Sequence, residues 1–181
     1  MNLDDPCGEH FRYRDLVECG ETWHRLRARA GDGPPIDNVP RVAETFDAMR
    51  ALCATVLDPV VRQFGRIELT YAFASPALTR RIQGRIHPPG DQHAGHERGR
   101  AGGLVCQRLG LAADLRAPGV DSRALGRWIA EHTAFDRLYF YDPDRPIHVS
   151  VGPDATGQIV DMRRGPSGRR VPRVVDAGFF R

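Results

Sequence analysis

The sequence predicts one α+β domain with a mainly antiparallel sheet, helices packed against one face and a polar site on the other. Three observations carry this. Pro146-Ile147-His148-Val149-Ser150-Val151 alternates, so Ile147, Val149 and Val151 point one way while His148 and Ser150 point the other. Leu111-Ala112-Ala113-Asp114-Leu115 repeats the design, with Leu111, Ala113 and Leu115 opposite Asp114. An Asp/Pro turn from Asp142 to Pro146 joins a strand over Phe135 to Tyr141 to the His148 strand, which is a hairpin signature of antiparallel pairing.

The elements follow in order. Residues 11 to 29 carry Phe11, Leu16, Trp23 and Leu26 among polar residues, the pattern of short helices or turns. Gly31 to Pro35 reads as a loop. From Val42 to Phe64, Phe46, Met49, Cys53, Val56, Leu57, Val60 and Phe64 recur at helical spacing, with Pro59 expected to kink the run or mark its last turns. A strand follows from Arg66 to Ala72, with Ile67, Leu69 and Tyr71 expected on one face. Ser75-Pro76 pairs an N-cap serine with a proline at the first helical position, and Gly84 suits the end of that helix. His87 to Gly103, with two prolines and five glycines, is a loop long enough to suggest function. Asp121-Ser122 caps a helix bearing Leu125, Trp128, Ile129 and His132 on one stripe. Residues 1–162 form the expected domain, and residues 163–181, with six arginines, read as a solvated basic tail or a nucleic-acid-binding arm.

Composition narrows the function classes. The chain has 181 residues, enough to bury a sizeable core as one domain. It has no apolar run of membrane-spanning length, and its acidic N-terminus lacks a signal-peptide core, so a cytoplasmic location is expected. The four cysteines form no CxxC pair and read as free thiols. All basic side chains are arginine, which excludes Schiff-base and lysine general-base chemistry. A net charge of +3 is too small to argue by itself for nucleic acid, which is not the expected partner. A small-molecule or peptide-like substrate is expected instead, and oligomeric state is left open.

Asp91-Gln92-His93-Ala94-Gly95-His96-Glu97 adds a polar cluster in the Gly/Pro-rich loop. Two histidines and one carboxylate on rigid elements suit a catalytic zinc site with a fourth position open to water.

The order of features resembles the zinc D-Ala-D-Ala carboxypeptidases and peptidoglycan endopeptidases of the hedgehog-type DD-peptidase fold, from about Phe11 to Val151. Gly20-Glu21-Thr22 is similar to the family's Ser-Glu-Thr. Asp37-Asn38-Val39-Pro40 resembles its Asn-x-Pro, Val56-Leu57-Asp58-Pro59 with Phe64-Gly65 its helix end, and Ser75-Pro76-Ala77-Leu78 the segment after its Ser-Gly-Tyr-Arg strand. Asp91-Gln92-His93 resembles its Ser-x-His, Gly110-Leu111-Ala112-Ala113-Asp114 its Gly-x-Ala-x-Asp, and Ile147-His148-Val149-Ser150 its terminal histidine strand. The resemblance implies Zn2+ bound by His93, Asp114 and His148, in a hydrolase acting on amide or peptide-like bonds.

Departures from the family pattern bear on the reaction. His93 and Asp114 lie farther apart than in the family, and an insertion over 98–106 accounts for it. An ungapped alignment would put Gln107 at the histidine position, and His96 is the rival ligand. The family's carboxylate-binding arginine falls on Ala74 and its general-base glutamate on Tyr141. Glu97 is therefore the first candidate for proton transfer, with Asp144 and Asp142 in the turn as alternatives. Arg108, Tyr71 and Tyr141 are candidate substrate contacts, and Glu21 a candidate outer partner of the metal. These departures leave open a repurposed zinc enzyme acting on a small metabolite by hydrolysis, cyclisation or elimination, or a non-catalytic binding module.

Overall fold

A computed structural model describes residues 2–33, 36–83 and 88–181. Gly84, His87, Pro34 and Pro35, on which parts of the sequence reading fall, lie outside the described residues. One six-stranded sheet organises the chain in the order β1-β2-β4-β3-β5-β6, with β1 Glu68–Tyr71, β2 Leu111–Arg116, β3 Arg137–Phe140, β4 Ile147–Val151, β5 Gln158–Arg164 and β6 Arg170–Val175. All neighbours run antiparallel except β3 and β5.

One sheet face is apolar because the alternating strands send Leu111, Ala113, Leu115, Leu138, Ile147, Val149 and Ile159 to it. Against it pack α3 Ala43–Leu52, which supplies Phe46, Met49 and Leu52, and α6 Ser122–His132, which supplies Leu125 and Ile129. Each fully buried aliphatic side chain of this kind contributes about 1.5–3 kcal/mol. Asp121 caps α6 by accepting from the backbone N–H groups of Arg123 (2.6 Å) and Ala124 (3.2 Å). The long helical run is interrupted just before Pro59. Pro59 has no N–H to give the preceding turn, and the chain widens into a π-helical turn at Cys53–Leu57 before α4 Asp58–Phe64. Asp58, buried at this junction, accepts from the N–H groups of Glu9 and His10 and so ties down the N-terminal segment.

The first segment forms α1 Tyr13–Val17 and α2 Glu21–Ala30. The Ser75-capped helix α5 is shorter than expected, Pro76–Thr79. Trp23 of α2 and Leu78 of α5 form a second apolar cluster with Ala74, against which Tyr71 packs. These two helices are thus outside the layer formed by α3, α4 and α6.

Two expectations are corrected. The sequence put Ile67, Leu69 and Tyr71 on one face. A β-bulge instead pairs Leu69 with Leu115 but Tyr71 with Asp114, turning the Tyr71 side chain to the polar face. Residues 163–181 are not a loose tail. The expected boundary at 162 falls inside β5, residues Gln158–Arg164, and β6 pairs along it from Arg170 to Val175. A 3-10 turn, Ala177–Phe180, then buries Phe180 against α6. Gly126 permits this approach, since a Cβ there would lie 2.9 Å from the Phe180 ring. No helix among the described residues is long and apolar enough to cross a membrane.

Candidate metal centre

Sheet register assembles the polar face. Asp114 pairs with His148 across β2 and β4, Tyr71 pairs with Asp114 from β1, and Tyr139 pairs with His148 from β3. Tyr71, Asp114, His148 and Tyr139 therefore form one row on the face opposite the helices. The loop residue His93 closes over this row on a 3-10 turn, Gln92–Ala94. Donor atoms of His93, Asp114 and His148 lie within 4.8 Å of one another, so the trio could hold a metal ion.

Each of the three side chains is oriented by its surroundings. The Nδ1 of His93 lies 2.8 Å from the Ala72 carbonyl, an acceptor, so Nδ1 carries the proton and the Nε2 lone pair faces inward. That Nε2 lies 3.4 Å from Asp114 Oδ1, and His148 Nδ1 lies 2.8 Å from the same oxygen. Burial opposes charge on His93, but the charge and hydrogen bond of Asp114, helped by Asp91, outweigh it and raise the His93 pKa. Burial likewise opposes the Asp114 carboxylate, yet His93 and His148 hold it well below the usual carboxylate range. A lone pair and a carboxylate facing each other at this distance call for a cation between them, a proton or a metal. The donor set of two imidazoles and one carboxylate fits a borderline divalent ion.

Side-chain rings wall the trio. Tyr71 lies over His93 at 3.9 Å between ring centroids, and Tyr139 against His148 at 4.9 Å. Both histidine side chains are 3% exposed, whereas Asp114 is 27% exposed and is the open side of the centre.

A second layer fixes the His93 loop. Asp91 accepts from the His93 N–H, and the His93 carbonyl accepts from Ala74 N–H at 2.9 Å. The buried Gln92 amide accepts from Ser150 Oγ (2.9 Å) and donates to Asp136 (3.0 Å) and to the Leu109 carbonyl (3.0 Å). Asp136 also accepts from Thr156, from both N–H and hydroxyl at 2.9 Å. Gly110, at φ 75°, lets β2 start beside β4, since a Cβ there would fall 1.9 Å from the Val151 carbonyl oxygen.

The candidates named from sequence divide. His93, Asp114 and His148 come together. Among the substrate candidates, Tyr71 covers His93, and Tyr141 borders a cavity that reaches Asp114. Burial pushes the Tyr141 pKa up, which removes it as a base near neutrality. Arg108 donates to the Tyr139 hydroxyl (3.0 Å) and the Gly90 carbonyl (3.3 Å), so it braces the ring against His148. His96 stands apart from the trio, its Nε2 accepting from Gly110 N–H. The 98–106 insertion folds back on itself through an Arg98–Leu104 bridge and leaves Gln107 exposed.

Glu97 is not brought to the centre. Its buried Oε1 accepts from Arg41 N–H and Thr45 Oγ1, both at 3.0 Å, so it anchors the loop at the start of α3. Asp144 is exposed in the turn and borders neither cavity that reaches Asp114, and Asp142 is paired with Arg170. Residues the sequence reading missed are Tyr139, Gln92 and Asp136. Tyr139 carried a signal, since it alternates with the apolar Leu138 and Phe140. Gln92 carried only its place beside His93.

Two cavities meet at Asp114. One, about 200 Å3, is lined by Cys19, Glu21, Trp23, Tyr71 and Leu78 among others. Burial raises the Cys19 thiol pKa to about 12, so it stays protonated. The other, about 340 Å3, is lined by Tyr141, Pro146 and three arginines.

No family model, curated protein or solved structure matches this chain. The class that fold and site define is therefore a mixed α/β protein with a six-stranded, mostly antiparallel sheet carrying a His-Asp-His group able to bind metal.

Proposed function

We propose that the chain is a zinc-dependent hydrolase of the hedgehog-type DD-peptidase kind, acting on an amide or peptide-like bond. The observation that carries this reading is the convergence of His93, Asp114 and His148 within 4.8 Å, with His93 held in the tautomer that frees Nε2. When bound, the divalent ion supplies a Lewis acid that polarises a carbonyl oxygen and acidifies water. The protein supplies the rest. Tyr71 and Tyr139 shield the imidazoles, and Asp114 leaves one side open for substrate. Glu21 lines the smaller cavity with Asp114; it is 92% exposed, pairs with Arg25 at 3.7 Å, and is the residue we assign to proton transfer. It replaces Glu97, whose carboxylate is occupied at α3.

A specific observation favours substrates other than a D-Ala-D-Ala terminus. Ala74 is fully buried beside the His93 carbonyl and offers no guanidinium for a free carboxylate. Zinc-loaded and chelator-stripped protein should be assayed on small acyl-amides and on D-Ala-D-Ala. Zinc-dependent turnover of an acyl-amide is expected, with little or none on the dipeptide. Glu21→Gln should lower turnover about 10²–10⁴-fold with zinc retained, the usual loss for a positioned base. Absence of zinc-dependent turnover on every amide contradicts the hydrolase reading, and unchanged turnover in Glu21→Gln removes that residue from proton transfer.

A further inference from the structure

Two of the arginines expected in a loose tail, Arg164 and Arg170, line a cavity that reaches Asp114. Register explains how. Tyr139 pairs with Val160 across β3 and β5, so Val160, Met162 and Arg164 share the face of the metal ligands. Arg164 pairs with Arg170 across β5 and β6, which puts both strand ends on that face. The same end of the sheet carries Tyr141, just past β3, and Arg145-Pro146, just before β4. Asp114, Tyr141, Arg145, Pro146, Arg164 and Arg170 together line the 340 Å3 cavity.

The three arginines differ in what they already hold. Arg170 is a fixed frame: it donates to the carbonyls of Tyr141 (2.6 Å) and Met162 (2.7 Å), pairs with Asp142, and lies 5.3 Å from the Tyr141 ring centroid. Arg164 reaches Asp142 only at 3.9 Å. The Arg145 side chain has no hydrogen-bond or ion-pair partner among the described residues. Asp142 offsets one of three guanidinium charges, and Asp114, at the floor, already faces two histidines. An anion entering from solvent thus meets two guanidinium groups with spare donors, arriving from separate strand ends.

We propose that this cavity is an oxyanion subsite of the metal centre, fitted to the phosphate group of a phosphate-bearing substrate whose reacting bond lies toward Asp114. Guanidinium groups converging from different strands suit a tetrahedral, doubly charged phosphate better than a planar, singly charged carboxylate. The smaller cavity beyond Asp114, with Trp23 and Leu78, receives the less polar part of the same molecule. Position relative to the reacting bond rests on the metal-centre reading, but the binding of phosphate does not.

The test is calorimetric titration of inorganic phosphate, with acetate as comparison, into the full chain with and without zinc. Arg145→Gln, Arg164→Gln and Arg145→Lys serve as variants; both positions are exposed, and zinc content is measured on each. Phosphate should bind the metal-free protein and exceed acetate. Each Gln variant should weaken it about tenfold or more, the equivalent of one charge-assisted hydrogen bond, and Arg145→Lys should lose less. Zinc content should not change. Phosphate affinity unchanged from wild type in both Gln variants overturns the proposal, as does phosphate binding that appears only with zinc and ignores both arginines. Acetate binding as tight as phosphate overturns the phosphate assignment. Arginine-dependent phosphate binding in a protein that never takes up zinc would uphold the subsite and sink the metal reading.

Discussion

Replacing His148 by alanine should strip the chain of bound metal while the sheet survives. His148 is the second residue of β4, on the face away from the helices, and its Cα partner is Asp114. Its loss leaves one imidazole and one carboxylate, and two protein ligands seldom hold zinc tightly. Disturbing an outer partner of a metal ligand already costs about 10–100-fold in affinity, so removing the ligand should cost more than about 100-fold. The core should be spared, because Ile147 and Val149 on the opposite face carry the packing. Competition against a calibrated chelator measures the affinity, and thermal unfolding of the metal-free forms checks the fold. Retention of full affinity in His148→Ala would move the metal away from this row of residues.

Asp136→Ala should be the most damaging change outside the ligands. The Asp136 carboxylate is buried and accepts from Thr156 and from Gln92, the residue beside His93. Its removal takes one acceptor from the buried Gln92 amide and strips the mostly buried Arg137 guanidinium of its carboxylate 3.7 Å away, at a cost of about 3 kcal/mol. For a chain of this length that is roughly 6–12 °C in Tm. Burial opposes the Asp136 charge, but the Thr156 and Gln92 hydrogen bonds outweigh it and hold its pKa below the usual carboxylate value. Its stabilisation is therefore complete above the unfolded-state pKa, about 3.9, and fades as pH falls toward the lower folded value. The Tm gap between wild type and Asp136→Ala should be full at neutral pH and narrow below about pH 4. Freed from its anchor, the His93 loop should also bind metal about 10–100-fold more weakly. A gap that widened in acid would contradict the assignment.

The parts of the fold visible in the sequence are those whose local pattern is also their tertiary pattern. β2 and β4 alternate strictly, so the faces of Asp114 and His148 could be read directly. Tyr71 could not, because the bulge at Thr70 and Tyr71 breaks the alternation and depends on pairing with β2. The acidic residue Glu97 was legible as a polar loop residue, but its direction is set by Arg41 and Thr45, more than fifty positions earlier. Arginine density hid β5 and β6. β6 is an edge strand, where Pro172 and charged side chains are tolerated, and its composition resembles a solvated tail. Apolar anchors were present in Ile159, Val160 and Phe180, but only the approach of Phe180 to Gly126 gives the last of them a place to dock.

Anomalous diffraction from a crystal of the zinc-loaded protein tests the central claim most directly. The account requires one strong zinc peak per chain, bonded to His93 Nε2, Asp114 and His148 at about 2.0–2.2 Å. A peak seated on His96 or the cysteines, or no peak between these three side chains at saturating zinc, would contradict it.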